Sequence, residues 1–168
     1  MAIRPDTHFK LPLLPHSFRY AGYLLIIFSL GAVYLYFLGG RPAFFEVPVF
    51  AIVTSYVETR WLVLAQTNVL DEIAMIFIIL GLIFIGFSRD KIENQWFYEA
   101  RVMAVYYAVY VTAALWIILY IAIYGWPIIP VSAGMFLLFL IVYILSFRLL
   151  VAKKSVKSSH HLNKSLNT

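Results

Sequence analysis

Between residues 102 and 147 the chain carries no Asp, Glu, Lys, Arg or His, and no other feature of the sequence restricts the fold so tightly. As a single helix rising 1.5 Å per residue, that stretch would measure about 69 Å, against a bilayer hydrocarbon core of about 30 Å. It must therefore turn back on itself. Gly125-Trp126-Pro127-Ile128-Ile129-Pro130 supplies the break. Glycine permits backbone angles closed to other residues, and each proline removes a helix donor and pushes its predecessor out of the helical region. Two spans follow, at 102–124 and 131–151, joined by a tight uncharged turn.

Two further stretches are apolar enough to cross. Residues 20–38 are uncharged and end at Gly39-Gly40-Arg41-Pro42. A basic leader precedes them, as in a secretory signal. The run exceeds the about 7–15 residues of a signal core, however, and no A-x-A cleavage site follows, so a retained anchor is expected. Residues 69–87 make a further span once the Asp71-Glu72 end is counted as interfacial. The expected fold is an all-α membrane protein, a four-helix bundle of transmembrane helices forming a single integral membrane domain over 1–168, with a small extracytoplasmic cap. Composition agrees. The chain is 63% hydrophobic and 12% charged, where soluble domains run about 45–50% and 25%. A water-soluble enzyme, a disordered chain and a nucleic-acid reader are excluded. Having no cysteine, the chain also offers no disulfide, thiolate nucleophile, iron–sulfur cluster or cysteine-type zinc site.

The basic residues orient the spans, since loops rich in Lys and Arg stay in the cytoplasm. With the N-terminus inside, Arg4, Lys10, Arg19, Arg89, Lys91, Arg101, Arg148, Lys153, Lys154, Lys157 and Lys164 fall on the inner side. Arg41 and Arg60, the other two of 13, lie outside. Both termini are thus expected in the cytoplasm, with the lipid bilayer as first partner. Trp96, Trp126, Tyr20 and Tyr124 stand near the expected boundaries, as an aromatic belt requires. The net charge of +5 belongs to this topology signal and not to nucleic acid.

The tail 153–168 has little to bury and is expected to be disordered. The outer segment 41–68 forms the cap. It holds two apolar stretches, 47–57 and 60–65, too short to span. Their Val, Ile, Thr, Phe and Tyr favour a short β-hairpin, although Thr54, Ser55, Glu58 and Thr59 would also fit one helix face. On the inner side, Asp90 precedes Glu93 at the spacing of a capping box. The third helix is therefore expected to begin near Asp90 and to project about two to three turns into the cytoplasm. The leader is broken by Pro5, Pro12 and Pro15, which leaves this extension as the expected surface for a protein partner. Its candidate contacts are Arg89, Lys91, Glu93, Trp96, Phe97, Glu99 and Arg101. Aromatic and Arg residues are enriched at binding hot spots, and a plain aromatic belt is the competing reading.

The residues Asp71-Glu72-Ile73-Ala74, Gly81-Leu82 and Phe87-Ser88-Arg89-Asp90-Lys91-Ile92-Glu93 resemble a group of small, uncharacterised membrane proteins common in Bacteroidetes. There a DEIA opens a span and an FS-R/K-x-K-x-E run closes it. The resemblance covers residues 68–101, and the rest in outline. It implies four spans in a bacterial inner membrane and transfers no catalytic residues. Asn94-Gln95 stand where that pattern has two further acids.

Chemistry is sparse. His8, His16, His160 and His161 all lie in the tails, so no span offers a haem ligand. The adjacent pair His160-His161 fits accidental composition better than a metal site. Asp71 and Glu72, with Asn68, suit the exposed N–H groups and positive dipole end of a helix start. A cation or substrate site at Asp71-Glu72 is the lesser reading; with Glu58 and Arg60 the pair forms the candidate outer polar cluster that a lipid-modifying enzyme would need. No ionisable residue falls deep within a span, whereas coupled transporters usually carry one. Gly22, Ser29, Gly31, Gly81, Gly86, Ala113, Ala114 and Gly134 can admit close helix contacts. Tyr106, Tyr107, Tyr110, Tyr120 and Tyr124 point to an interior or intersubunit face, because buried hydroxyls need partners; a quinone or lipid groove is the lesser reading. No catalytic residue, cofactor or metal is assigned. The expected function is a non-catalytic accessory or scaffold protein that assembles with a protein partner or as a homo-oligomer. An oligomeric carrier or channel for a small neutral or apolar solute is one alternative, and a lipid-modifying membrane enzyme is another.

Overall fold

The computed structural model describes residues 11–54, 60–91, 95–125 and 127–166, with 53, 54, 60, 95 and 155–166 described by backbone alone. Four helices, α1 (Phe18–Phe37), α2 (Leu70–Phe87), α3 (Gln95–Ala122) and α4 (Ile128–Leu166), accompany one antiparallel pair of strands, β1 (Glu46–Thr54) and β2 (Arg60–Asn68). All four helices are long and apolar enough to cross a membrane. The chain is thus an all-α four-span protein with a small sheet, and segment 41–68 carries strands in place of the alternative helix. Residues 55–59, which join the strands, lie outside the described residues.

Three boundaries differ from the sequence reading by three residues or more. α3 begins at Gln95, and Asp90 lies outside any helix; Glu93, its capping-box partner, lies outside the described residues. α4 begins at Ile128 and not at 131. Pro130 sits in its first turn, where a missing N–H removes no hydrogen bond, and Gly125 makes the reversal at φ +77°. At its far end α4 continues to Leu166, over the tail whose composition implies disorder. No Gly or Pro follows Gly134. A helix nucleated in the apolar run gains one hydrogen bond for each further residue it fixes.

The chain divides into two compact units, residues 1–19 with 83–168 and residues 20–82. In the first unit α3 packs along α4. Ala100, Ala104 and Ala108 recur at every fourth position with no exposed surface, and Tyr143 and Phe147 of α4 fill the seam beside them. Lipid is as apolar as leucine, so close van der Waals contact must drive helix pairing in a bilayer, and small residues permit it. Phe87 stacks on Tyr143 at 5.0 Å and Phe97 meets Phe147 edge-on at 6.3 Å. Gly86 is held to the same seam: a Cβ there would stand 3.0 Å from the Tyr143 ring.

In the second unit α1 and α2 approach at Gly81, where a Cβ would lie 2.8 Å from Ile26 and 2.9 Å from the Gly22 carbonyl oxygen. Buried Ser29 donates its hydroxyl to the Ala74 carbonyl at 2.8 Å. Of the other small residues singled out, Gly31 and Gly134 face open space, and Ala113 and Ala114 are exposed. Ala32, Leu70 and Ala74 form the local core, which extends to Leu35, Tyr36 and Phe45. A single 3-10 turn, Ala43–Phe45, leads into β1. The register pairs Glu46 with Asn68 and Phe50 with Leu64. Asn68 then links strand to helix: its side-chain oxygen accepts from the Leu70 N–H at 3.2 Å, and its amide donates to the Pro42 carbonyl at 3.3 Å.

Candidate functional site

The last turn of α2 leaves carbonyl groups without intrahelical partners and carries the negative end of the helix dipole. Arginines converge on it. Arg101, in the second turn of α3, is 2% exposed. Its Nη1 donates to the Gly86 carbonyl at 2.8 Å and its Nη2 to the Ser88 carbonyl at 2.9 Å, with the guanidinium 4.3 Å above the Phe147 ring centroid. Arg19, at the start of α1, donates Nη1 to Asp90 Oδ1 at 2.6 Å, and its Nη2 reaches the Ser88 carbonyl at 3.4 Å. Arg148 of α4 is half-exposed and stands 3.9 Å from the same Asp90 oxygen. The Tyr143 hydroxyl donates to the Gly86 carbonyl at 3.3 Å, and the Ser88 hydroxyl to that of Phe84.

Asp90 is the one acid in this group of described residues. Burial pushes its carboxyl up. The hydrogen bond and charge of Arg19, then the charges of Arg148 and Arg101, outweigh that and hold it below its ordinary value of 3.8. Its Oδ2 lies 3.6 Å from Arg101 Nη2, an ion pair too long to be a hydrogen bond. The surplus of guanidinium charge is offset by the carbonyls of Gly86 and Ser88 at the end of α2. Arginine does not deprotonate, and Asp90 is held ionised. At neutral pH the group supplies charge and hydrogen bonds but no proton. It acts as a clamp on the ends of α1, α2 and α3 and on α4.

The leader joins the clamp. Leu14 donates its N–H to the Phe87 carbonyl and accepts from the Arg89 N–H, each at 2.9 Å. His16 donates Nδ1–H to the Arg89 carbonyl at 2.9 Å. Pro12 and Pro15 prevent a helix here, yet the strand-like bridge between Leu14 and Ser88 fixes the segment.

The nominated partner surface is thereby redistributed. Arg101 is buried in the clamp, Phe97 packs on Phe147, and Trp96 lies beneath Lys154, whose Nζ is 4.1 Å from the ring centroid. Arg89, Lys91 and Glu99 are exposed; Glu93 lies outside the described residues. The outer polar residues do not gather. Asp71 and Glu72 are exposed in the first turn of α2. Arg60 opens β2 at its far end, roughly 26 Å from Asn68 for a strand rising about 3.3 Å per residue. Glu58 lies outside the described residues. Tyr106, Tyr107, Tyr110, Tyr120 and Tyr124 are all exposed on this chain and form no face in its interior; among the described residues the buried tyrosine is Tyr143. Among the described residues no three His, Asp, Glu or Cys side chains stand together as a metal site needs. The clamp itself is missing from the sequence reading. Its signal was that Arg19, Asp90, Arg101 and Arg148 all fall on one side in the four-span topology.

The hairpin presents the opposite character. Phe50 and Leu64, directly paired, are 60% and 71% exposed, and Ile52, Leu62 and Phe44 are equally open. The local core reaches Phe45 but none of the strand residues. The register omits Ile52 with Leu62, where Leu62 takes φ +50°, and Pro48 interrupts β1. Both features blunt the strand edges against further pairing, so the apolar face is the larger available surface. Comparison with known proteins finds no matching family model, no matching curated protein and no matching solved structure.

Proposed function

We propose that this chain is a non-catalytic accessory or scaffold protein of a bacterial inner membrane, with both termini cytoplasmic, that assembles with a protein partner through its hairpin. The carrying observation is the open apolar face of Phe50, Leu64, Ile52 and Leu62. A lone two-stranded hairpin is at best marginally stable in water. Open strand edges are not tolerated against lipid hydrocarbon. A protein surface covers such a face where neither water nor the bilayer core can. The orientation is supported by the bias of basic residues, which leaves Arg41 and Arg60 outside and puts the hairpin on the outer side. The clamp supports a structural role for the first unit: its charged groups are engaged with one another and with the backbone.

The test is a double variant, Phe50→Ser with Leu64→Ser, followed in native membranes by non-denaturing electrophoresis. The expected result is loss of the native complex with unchanged membrane insertion and protein level. A complex that survives contradicts the proposal. One composed only of copies of this chain supports the oligomeric carrier instead.

A further inference from the structure

Two adjacent lysines leave α4 in different directions. Lys154 extends over the Trp96 ring of α3. Lys153 instead lines a groove of about 590 Å³ whose other walls are Tyr107 of α3 and Ser146, Leu149, Leu150 and Ala152 of α4. Positions 146, 149, 150 and 153 share one helix face, so the groove follows the α4 axis for about 10 Å. Its walls are apolar apart from two hydroxyls and the ammonium of Lys153.

We propose that this groove is a binding site for an anionic phospholipid, with one acyl chain along α4 and the phosphate at Lys153. α3 and α4 are long and apolar enough to span a membrane, so the bilayer supplies hydrocarbon to any apolar groove along them. Lys153 stands just past the apolar run 131–151, at the level where a span meets the headgroups. Charge at that end is mainly positive: Lys153, Lys154 and Arg148 stand with exposed Arg89 and Lys91 against exposed Glu99, while Asp90 is engaged by Arg19. Lys157 follows on α4 at the i+4 position of the Lys153 face. The apolar walls select a lipid over free phosphate. This inference rests on residence of α3 and α4 in a bilayer and is independent of the hairpin's partner.

Native mass spectrometry of the full chain in detergent tests it, with phosphatidylglycerol and phosphatidylcholine of identical acyl chains as probes and inorganic phosphate as competitor. The expected preference for phosphatidylglycerol is about fivefold, the effect of one lysine at an anionic surface, and phosphate does not compete. Lys153→Ser should abolish the preference and Lys154→Ser should retain it. Ala152→Phe, at an exposed position, should weaken both lipids by narrowing the groove. The proposal is overturned by a wild-type chain without preference, by a Lys153→Ser chain that keeps it, or by equal loss in both lysine variants, which would mean diffuse surface attraction.

Discussion

Tyr143 of α4 is 1% exposed and Leu64 of β2 is 71% exposed, although each belongs to an apolar stretch of the same chain. In the α3–α4 seam, alanines at every fourth position face large side chains, and the polar ends of the seam close on the clamp. In the hairpin, large side chains recur at every second position on a face that nothing among the described residues covers. The first region completes its contacts internally. The second leaves its large side chains open, the face that the proposed partner would cover. The contrast separates what the fold needs for itself from what it holds out to others.

Removing the centre of the clamp should be the largest perturbation. Arg101→Ala removes the shorter donor of the buried Gly86 and Ser88 carbonyls, which keep only Tyr143 at 3.3 Å and Arg19 at 3.4 Å, and weakens the pairing of Asp90; the loss should approach the about 3–5 kcal/mol of a broken buried ion pair. Denaturant unfolding in detergent should show this loss. Next, Ala104→Leu forces a larger side chain into a closed seam and should cost about 1–3 kcal/mol. Ala114→Leu, at an exposed position of the same helix, should stay within about 0.5 kcal/mol. Equal effects would mean that the seam is not where α3 and α4 hold together.

A smaller effect is expected from acid. The Asp90 carboxyl is held below 3.8 in the folded chain, so the unfolded chain takes up its proton more readily. Its contribution is complete above that value and fades as pH falls through the lower folded one. A pH series of unfolding midpoints should show this acid component, and Asp90→Asn should remove it. The smallest change in the chain's own stability is expected from Phe50→Ser with Leu64→Ser, about 1 kcal/mol or less for a cross-strand pair, despite its expected effect on assembly.

The apolar runs and their breaks made four spans legible, because crossing length and helix-breaking chemistry are local properties. The hairpin was legible from its β-branched and aromatic residues for the same reason. The clamp was not. Arg19 and Asp90 are far apart in sequence, and a guanidinium that caps another helix's carbonyls leaves no local pattern. The Ala100, Ala104 and Ala108 repeat was in plain view, but size alone, without the four-residue spacing, points as readily to Ala113 and Ala114. The continuation of α4 through its lysine-rich end was obscured by composition: polarity marks what cannot be buried, while helix propagation depends on the absence of breakers.

The contrast is tested most directly by a photo-reactive phenylalanine placed at Leu64 and, separately, at Ile121 of α3, in native membranes. Both positions are more than 60% exposed on the chain. Irradiation should give a discrete protein adduct from position 64 and lipid adducts from position 121. Lipid adducts alone from position 64 would contradict the claim that the hairpin face is covered by protein.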